Sequence, residues 1–271
     1  MPLLNMIFFS CPLLLCAMGS LYSDYAGILA IFLEGLISFA AYFMFSFSVM
    51  TGFALWGFLL TILLSVGLVL IFAVIIERLH ANPFIAATAI NLLFTALPSF
   101  FAVTQFNNRG VLTSPAFSFD ITQIKIITIL LTTVILVTAF IFLLKTRRGL
   151  YLRITGSDAE VLLAKGVNPV FCRIQAWGAA AFFASIAGCF LSMRVSSFVP
   201  GISSGRGWMA LAAVYLGKKN PLRITISVFI FCAADFFAAS IQNYLPAIPT
   251  SVVLSLPYLV ILGVIALERK D

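Results

Sequence analysis

The chain has 271 residues, of which 62% are hydrophobic and 9% are charged, and its formal net charge is +7. Soluble domains carry about a quarter charged residues, so this composition excludes a water-soluble globular protein and predicts a domain whose main solvent is lipid. The basic excess does not indicate nucleic-acid binding, because the charges lie at the ends of apolar segments and are not interleaved with aromatic residues.

Apolar segments follow one another along the chain. A helix needs about 20 apolar residues to cross a bilayer. Eight segments approach that length: 2–22, 25–50, 53–76, 84–104, 125–144, 175–193, 222–240 and 251–267. A ninth, 207–217, either crosses as a segment that starts near Pro200 or enters the membrane and returns, and the glycines beside it favour a break. We predict an all-α polytopic bundle over residues 1–271 as a single domain, with about 8–9 membrane segments, one or two of them broken or re-entrant.

Basic residues concentrate in three later regions: 145–174, 218–223 and the tail 268–271. The positive-inside rule places all three in the cytoplasm and loop 105–124 outside. No Lys or Arg precedes Arg78, so the rule does not orient the first segments, and the first segment lacks the positive region of a secretory signal. The N-terminus lies outside if every segment crosses, and inside if one of the first two is re-entrant.

One polar helix is predicted within the basic loop 145–174. Ser157 and Glu160 form a capping-box pattern, and Gly166 is suited to the left-handed residue that ends a helix, so we expect a helix over about 158–165. Its apolar residues at helical spacing are Ala159, Leu162 and Leu163. A helix this short is marginal in water. It therefore either folds back on the bundle or docks a cytosolic partner.

The same segment resembles a known family. "RITGSDAEVLLAKGVN" (153–168) is similar to the R-A-x-G-E-N-P-x-A-A-x-x-x-G-I-N segment of ABC-importer permeases of the branched-chain amino acid and simple-sugar class. The matching positions are Arg153, Gly156, Ala164, Gly166 and Asn168. Ser157 and Ala159 stand where the family has Glu and Pro.

Further blocks resemble the nucleoside-type branch of that class, in the family's order. They are "PLLLCAMGSLYSDYAGILAIFLEG" (12–35), "NPFIAATAINLLFTAL" (82–97), "GRGWMALAAVYLGKKNPL" (205–222) and "LPY" (256–258). Ala30 replaces the Asn that precedes the family's I-G-L-E-G sequence. Together these blocks cover most of the chain.

The resemblance implies the permease subunit of an ABC importer in the inner membrane. Two such subunits, identical or different, would enclose the pathway, and an external binding protein or lipoprotein would deliver a nucleoside-like solute, with riboflavin or a simple sugar as alternatives. Cytosolic ATPases would grip a coupling helix formed by Arg153, Gly156, Ser157, Asp158, Ala159, Glu160 and Gly166. No G-x-x-x-x-G-K-[ST] phosphate loop occurs in the sequence, so ATP and Mg are expected on a separate chain and no cofactor on this one.

Two polar residues deep in apolar segments are candidates for the substrate pathway. A charged carboxylate at mid-membrane costs about 2.5–3.5 kcal/mol on insertion scales, so Glu34 should face a cavity, a partner or a broken helix end that it stabilises by hydrogen bonds. Asn91 either lines the pathway or joins two helices, a contact worth about 0.6 kcal/mol on average.

Three further candidates lie in the second half of the chain. Asp235 is an acid in a segment without basic residues, so its partner must come from elsewhere, and Arg206 is one candidate. Arg206 and Trp208 flank a glycine and serve either the pathway or interfacial anchoring.

Two other classes of function remain as alternatives. Glu34 and Asp235 could serve an ion-coupled secondary transporter or channel, although no inverted repeat is evident. An enzyme or a metal centre is disfavoured, because His80 is the only histidine, the five cysteines form no CxxC pair, and no catalytic constellation occurs.

Overall fold

A computed structural model describes residues 2–244, together with Leu259 and Gly263. Within this part of the chain the regular structure is helical, as predicted. The helices are α1 (Pro2–Tyr25), α2 (Leu33–Thr51), α3 (Ala54–Arg78), α4 (Pro83–Phe106), α5 (Ile121–Lys145), α6 (Arg147–Ser157), α7 (Ala159–Ala164), α8 (Pro169–Val195), α9 (Arg206–Leu216) and α10 (Pro221–Tyr244). A short 3-10 turn forms at Pro115–Phe117.

Six of the described helices, α1 to α5 and α8, are long and apolar enough to cross a membrane. The chain is therefore a multi-pass membrane protein, but the predicted count of 8–9 segments is not confirmed. The predicted segment 222–240 forms α10, which is not among those six, and the predicted segment 251–267 lies outside the described residues except for Leu259 and Gly263.

The second predicted segment, 25–50, begins too early. α1 continues to Tyr25, and residues 26–32 then form turns before α2 begins at Leu33. The backbone N–H groups of Ala26 and Ile28 both donate to the carbonyl of Ser23, at 3.0 Å, which closes the end of α1. Gly27 adopts a left-handed φ of 77° at this turn, a conformation that glycine adopts without a steric penalty.

The centre of the bundle consists of α1, α2 and α8, which pack on one another. In the apolar stretches of these three helices, 67–78% of the residues are buried, compared with 22–28% in α3, α4 and α5. Glycine permits the closest approach, since a Cβ on Gly188 of α8 would lie 2.3 Å from the carbonyl oxygen of Ile37 in α2. Large rings fill the same region, where Trp177 of α8 stacks on Phe32 at a centroid distance of 4.8 Å.

The two ends of α1 fix its direction. Its N-terminal half meets the C-terminal end of α8, where the guanidinium of Arg194 lies 3.7 Å from the ring centroid of Phe9. Its C-terminal end meets α6, where Gly156 packs on Tyr25. If loop 145–174 is cytoplasmic, as the positive-inside rule predicts, α1 runs from outside to inside.

α9 completes a broken crossing. The segment before it starts at the outer end of α8, where Phe198 pairs with Leu112 of the loop before α5. α9 begins inside the bundle beside Glu34, and the turn after it reaches the inner end of α1 at Asp24. The predicted alternative in which 207–217 returns to the same side is therefore wrong, because this segment joins opposite ends of the bundle.

Candidate functional site

The predicted helix in the basic loop is present, but its first residues are arranged differently. Ser157 is not its cap, because the residue closes α6, and its hydroxyl donates back to the carbonyl of Ile154 at 3.2 Å. Asp158 is extended and caps α7 instead, since its carboxylate accepts from the N–H groups of Glu160 and Val161. Asp and Ser are both favourable N-cap residues. Because Ser157 and Asp158 are adjacent, the sequence did not decide which of them caps α7.

α7 spans Ala159–Ala164, one residue shorter at each end than the predicted 158–165. Gly166 follows with a φ of 73°, so its predicted left-handed conformation is confirmed. The predicted common apolar face is wrong in part: Leu162 is fully buried, whereas Leu163 is 61% exposed. α7 thus anchors itself with one leucine and presents another to its surroundings.

Exposed apolar side chains extend from α7 onto the start of α8. They are Val161, Leu163, Val170 and Phe171. We call these four residues the inner apolar patch. Asp158 and Glu160, beside the patch, are exposed as well. Apolar residues surrounded by charges at the end of a bundle are typical of a protein-docking surface.

Two of the predicted coupling residues, Gly156 and Arg153, interact with the end of α1. A Cβ on Gly156 would lie 2.5 Å from the carbonyl oxygen of Tyr25 and 2.7 Å from the nitrogen of Gly27, so only glycine fits between α6 and the end of α1. The charge of Arg153 interacts with the same Tyr25. These residues position α6 on α1, and α7 follows directly from α6.

Glu34 is partly buried and lies at the junction of α2 and α9. Its two carboxylate oxygens accept hydrogen bonds from the backbone N–H groups of Gly205, at 2.8 Å, and Gly207, at 2.7 Å. The free N–H groups and the partial positive charge of a helix N-terminus stabilise a carboxylate there. Of the roles expected for Glu34, the structure shows the one in which its hydrogen bonds stabilise a broken helix end.

Glycine makes this junction possible. A Cβ on Gly207 would lie 2.5 Å from the backbone nitrogen of Glu34, so any side chain would push α9 away from α2. On the other side, the N–H of Gly35 donates to the side-chain oxygen of Asn91 in α4 at 2.7 Å. Asn91 thus joins two helices, and three helices meet around Glu34.

The remaining predicted pathway residues lie around the same junction. The guanidinium of Arg206 donates to the carbonyls of Ile202 and Ser203, at 3.2 and 3.1 Å, and so folds back on the segment before α9. Asp235 of α10 interacts electrostatically with Arg206 and with Arg194. Trp208 is exposed. The structure therefore brings Glu34, Asn91, Arg206 and Asp235 into one region and leaves Trp208 at its surface.

Sequence reasoning missed a second charged junction, at the inner end. The carboxylate of Asp24 in α1 lies 2.8 Å from the Nζ of Lys219, and it interacts electrostatically with the phenol of Tyr215. The hydroxyl of Tyr25 donates to the carbonyl of Lys219 at 2.7 Å. An acid at the end of an apolar run was the available signal, but its partner is 195 positions away in the sequence.

The polar side chains of this site hold helix ends in place. Among the described residues no group of three or more His, Cys, Asp or Glu side chains could hold a metal ion. The polar groups at both junctions are engaged with helix ends and with each other. A helical bundle with a buried broken helix and a docking surface at one end has the architecture of a membrane transport subunit.

The comparison with protein families agrees. The chain belongs to the family described as branched-chain amino acid transport system / permease component, whose model matches residues 3–265. It is the permease subunit of an ABC importer, a transport component and not an enzyme. Such a permease works with ATPase and binding-protein partners.

Individual relatives are ABC permeases for different solutes. The chain is 29% identical to the provisionally named glucose ABC transporter permease protein TsgC13 of Haloferax volcanii, over 82% of this chain and 72% of that one. It is 24% identical to the nucleoside ABC transporter permease protein NupC of Lactococcus lactis, over 97% and 90%. It is 27% identical to the guanosine ABC transporter permease protein NupQ of Bacillus subtilis, over 96% and 88%.

A solved structure shares the fold. A chain of PsaBC from Streptococcus pneumoniae, determined in complex with Fab, superposes with a TM-score of 0.60 and 15% sequence identity. The match covers 96% of this chain and 88% of that one. The arrangement of helices described above is thus a fold that a solved structure also has.

Proposed function

We propose that this chain forms half of the translocation pathway of an inner-membrane ABC importer for a nucleoside-like solute, with α7 as its coupling helix. The pathway would lie between two copies of the permease or between this chain and a related one. An external binding protein or lipoprotein would deliver the solute, and a cytosolic ATPase would bind ATP and Mg.

Full-length similarity carries the choice of solute. The two nucleoside permeases match at least 96% of this chain, whereas the glucose permease matches 82%. The "FLEG" and "AINLL" blocks also resemble the nucleoside-type branch. Riboflavin and simple sugars remain as competitors, because each shares a ring or a polyol with a nucleoside.

α4 supports a pathway at a subunit boundary. Among the six membrane-spanning helices α3 and α5 are by far the most apolar, as expected for helices that face lipid. α4 is as little buried as those two but no more apolar than the central helices. Its exposed residues include Thr95 and Ser99, close to Asn91 and the junction at Glu34. Polar groups on an exposed membrane helix favour a watery cavity or a partner.

The inner apolar patch supports the coupling role of α7. Its exposed leucine would fit an apolar groove in the ATPase, and its buried leucine would transmit the force to the bundle. Of the predicted coupling residues, Asp158 would act by starting α7 and Gly166 by ending it. Gly156 and Arg153 would act by seating α6 on α1.

The experiment uses the complex purified through a tag on this chain. Leu163→Glu should weaken retention of the ATPase by about tenfold or more, because it places a charge in an apolar contact. Val111→Glu is the matched control, since Val111 is an exposed apolar residue at the opposite end. Equal ATPase retention in both variants would refute the coupling role of α7.

The solute is tested separately. Vesicles containing the complete importer should take up labelled guanosine when ATP is inside, and excess unlabelled nucleoside should compete better than glucose or riboflavin. Uptake by this chain alone, driven by an ion gradient and indifferent to ATP, would support the secondary-transporter alternative.

A further inference from the structure

Between α7 and the buried junction at Glu34 the structure contains one continuous series of polar and close backbone contacts. It begins where Gly156 of α6 packs on the backbone of Tyr25 and Gly27. It continues through Asp24 and Lys219 into the turn after α9. α9 leads from there to its N-terminus, which Glu34 holds.

Four side chains form the middle of this series, and we call them the inner latch: Asp24, Tyr25, Tyr215 and Lys219. Asp24 is nearly buried, with 10% of its side chain exposed, and Lys219 neutralises it across 2.8 Å. The phenol of Tyr215 interacts electrostatically with Asp24, and the hydroxyl of Tyr25 donates to the carbonyl of Lys219 at 2.7 Å. The latch therefore fixes both the side chain and the backbone of Lys219.

The backbone at this turn also indicates that its geometry is imposed. Lys218 and Lys219 both adopt left-handed conformations, with φ values of 47° and 58°. Residues other than glycine rarely adopt this region, and two in succession persist when surrounding contacts determine the path of the chain. The latch provides those contacts.

α9 is suited to carry a displacement. It is a single helix of 11 residues, which corresponds to a rod of about 16 Å. One end is held by the latch and the other by the two hydrogen bonds to Glu34. If the inner end of α1 moves, α9 must therefore move with it, or else the ion pair at the latch or the helix cap at Glu34 must break.

We infer that the inner latch is the positioning element that transmits displacement of α6 and α7 to α9, and so to the junction at Glu34. This inference rests on the proposed coupling role of α7. Asp24 and Lys219 act on transport by keeping α9 in step with α1.

The chain offers a matched control for the ion pair. Glu77 of α3 pairs with Arg173 of α8 at 3.6 Å at the same end of the bundle. The carboxylate-bearing side chain is 6% exposed in that pair and 10% in the latch, and the basic partners are 37% and 49% exposed. The pair at Glu77 joins α3 to α8 and does not include α9. Breaking it therefore shows what the loss of a similar ion pair does to the protein when the contact with α9 is intact.

The test measures movement of α9 in the purified complex with its ATPase. Spin labels on Ser204→Cys and Asn108→Cys report the distance from the start of α9 to the outer loop, and the cysteines of the described residues are buried. ATP with vanadate should shift this distance in the wild type and in Glu77→Gln. The shift should be absent in Asp24→Asn and in Lys219→Met, while the ATPase remains bound and active.

Transport provides a second readout. Asp24→Asn should reduce uptake per ATP hydrolysed by about tenfold, within the usual range of coupling energies. The double variant Asp24→Asn with Lys219→Met should lose no more than either single variant, because a pair that acts as a unit is non-additive. Tyr25→Phe, which removes only one hydroxyl, should give a smaller loss of the same kind.

Three outcomes would overturn the inference while the proposed coupling function stands. They are a normal distance shift in Asp24→Asn, an equal loss of the shift in Glu77→Gln, and additive losses in the double variant. A wild-type complex without any nucleotide response would refute the proposed coupling function and, with it, this inference. A normal wild-type response with an unaffected Asp24→Asn variant would refute the latch alone.

Discussion

The central helices of this protein are more buried than the peripheral ones although they are on average less apolar. α3 and α5 are the most apolar of the six described helices that could span a membrane, yet only 28% and 22% of their apolar stretches are buried. α2 and α8 are the least apolar, and 78% of each is buried. In a bilayer, lipid is as apolar as a protein core, so hydropathy reports exposure to lipid, while packing at the centre depends on small residues and hydrogen bonds.

The largest expected difference between these regions comes from deleting the same side chain in each. Leu36 of α2 is fully buried, and Leu63 of α3 is 73% exposed. Leu36→Ala should lower the free energy of unfolding by about 2–5 kcal/mol because it leaves a cavity. Leu63→Ala should change it by less than about 0.5 kcal/mol. Thermal unfolding in detergent measures both, and similar effects would contradict the assignment of centre and periphery.

The next comparison concerns acids that cap helices inside and outside the bundle. Glu34→Ala removes two charge-assisted hydrogen bonds from the start of α9 and should cost about 3 kcal/mol. Asp120 caps α5 in an exposed loop through a single bond to the N–H of Thr122. Asp120→Ala should cost about 1 kcal/mol. If the two costs were equal, Glu34 would not be holding α9.

The last comparison concerns single methyl groups. Gly188→Ala should destabilise the protein by about 1–3 kcal/mol, because its Cβ would meet the carbonyl of Ile37 at 2.3 Å. Gly67→Ala in α3 meets nothing within 4 Å and should instead stabilise the helix by about 0.5–1 kcal/mol. Opposite signs in the unfolding midpoint would support the comparison, and a shared sign would contradict it.

Local sequence signals predicted most helices but not all of their ends. Gly166 could be assigned as a helix end because a left-handed residue after an amphipathic segment has a clear signature. Ser157 was assigned wrongly because Asp158, beside it, is an equally good cap and its backbone is the extended one. α6 was not predicted, since its sequence "RRGLYLRITGS" has no apolar periodicity and its helix depends on packing against α1.

The candidate site divides in the same way. Glu34 and Asn91 could be selected from the sequence because a polar residue in a long apolar run has a cost that something must offset. What offsets it could not be predicted, since Glu34 pairs with backbone groups 171 and 173 positions away. Asp24 was overlooked because it stands at the end of its apolar run, where an acid has no unusual cost.

The sequence by itself determined that this chain is a membrane protein. It also determined which stretches of the chain form most of the helices and where glycine interrupts them. These properties depend on residues that are adjacent in the sequence, so they can be predicted without knowing the contacts between helices. Only the tertiary structure decided which helices are central, how α9 is held at both ends and which acid pairs with which base. Those contacts join distant parts of the chain, and lipid and protein interior are too alike in polarity for hydropathy to tell them apart.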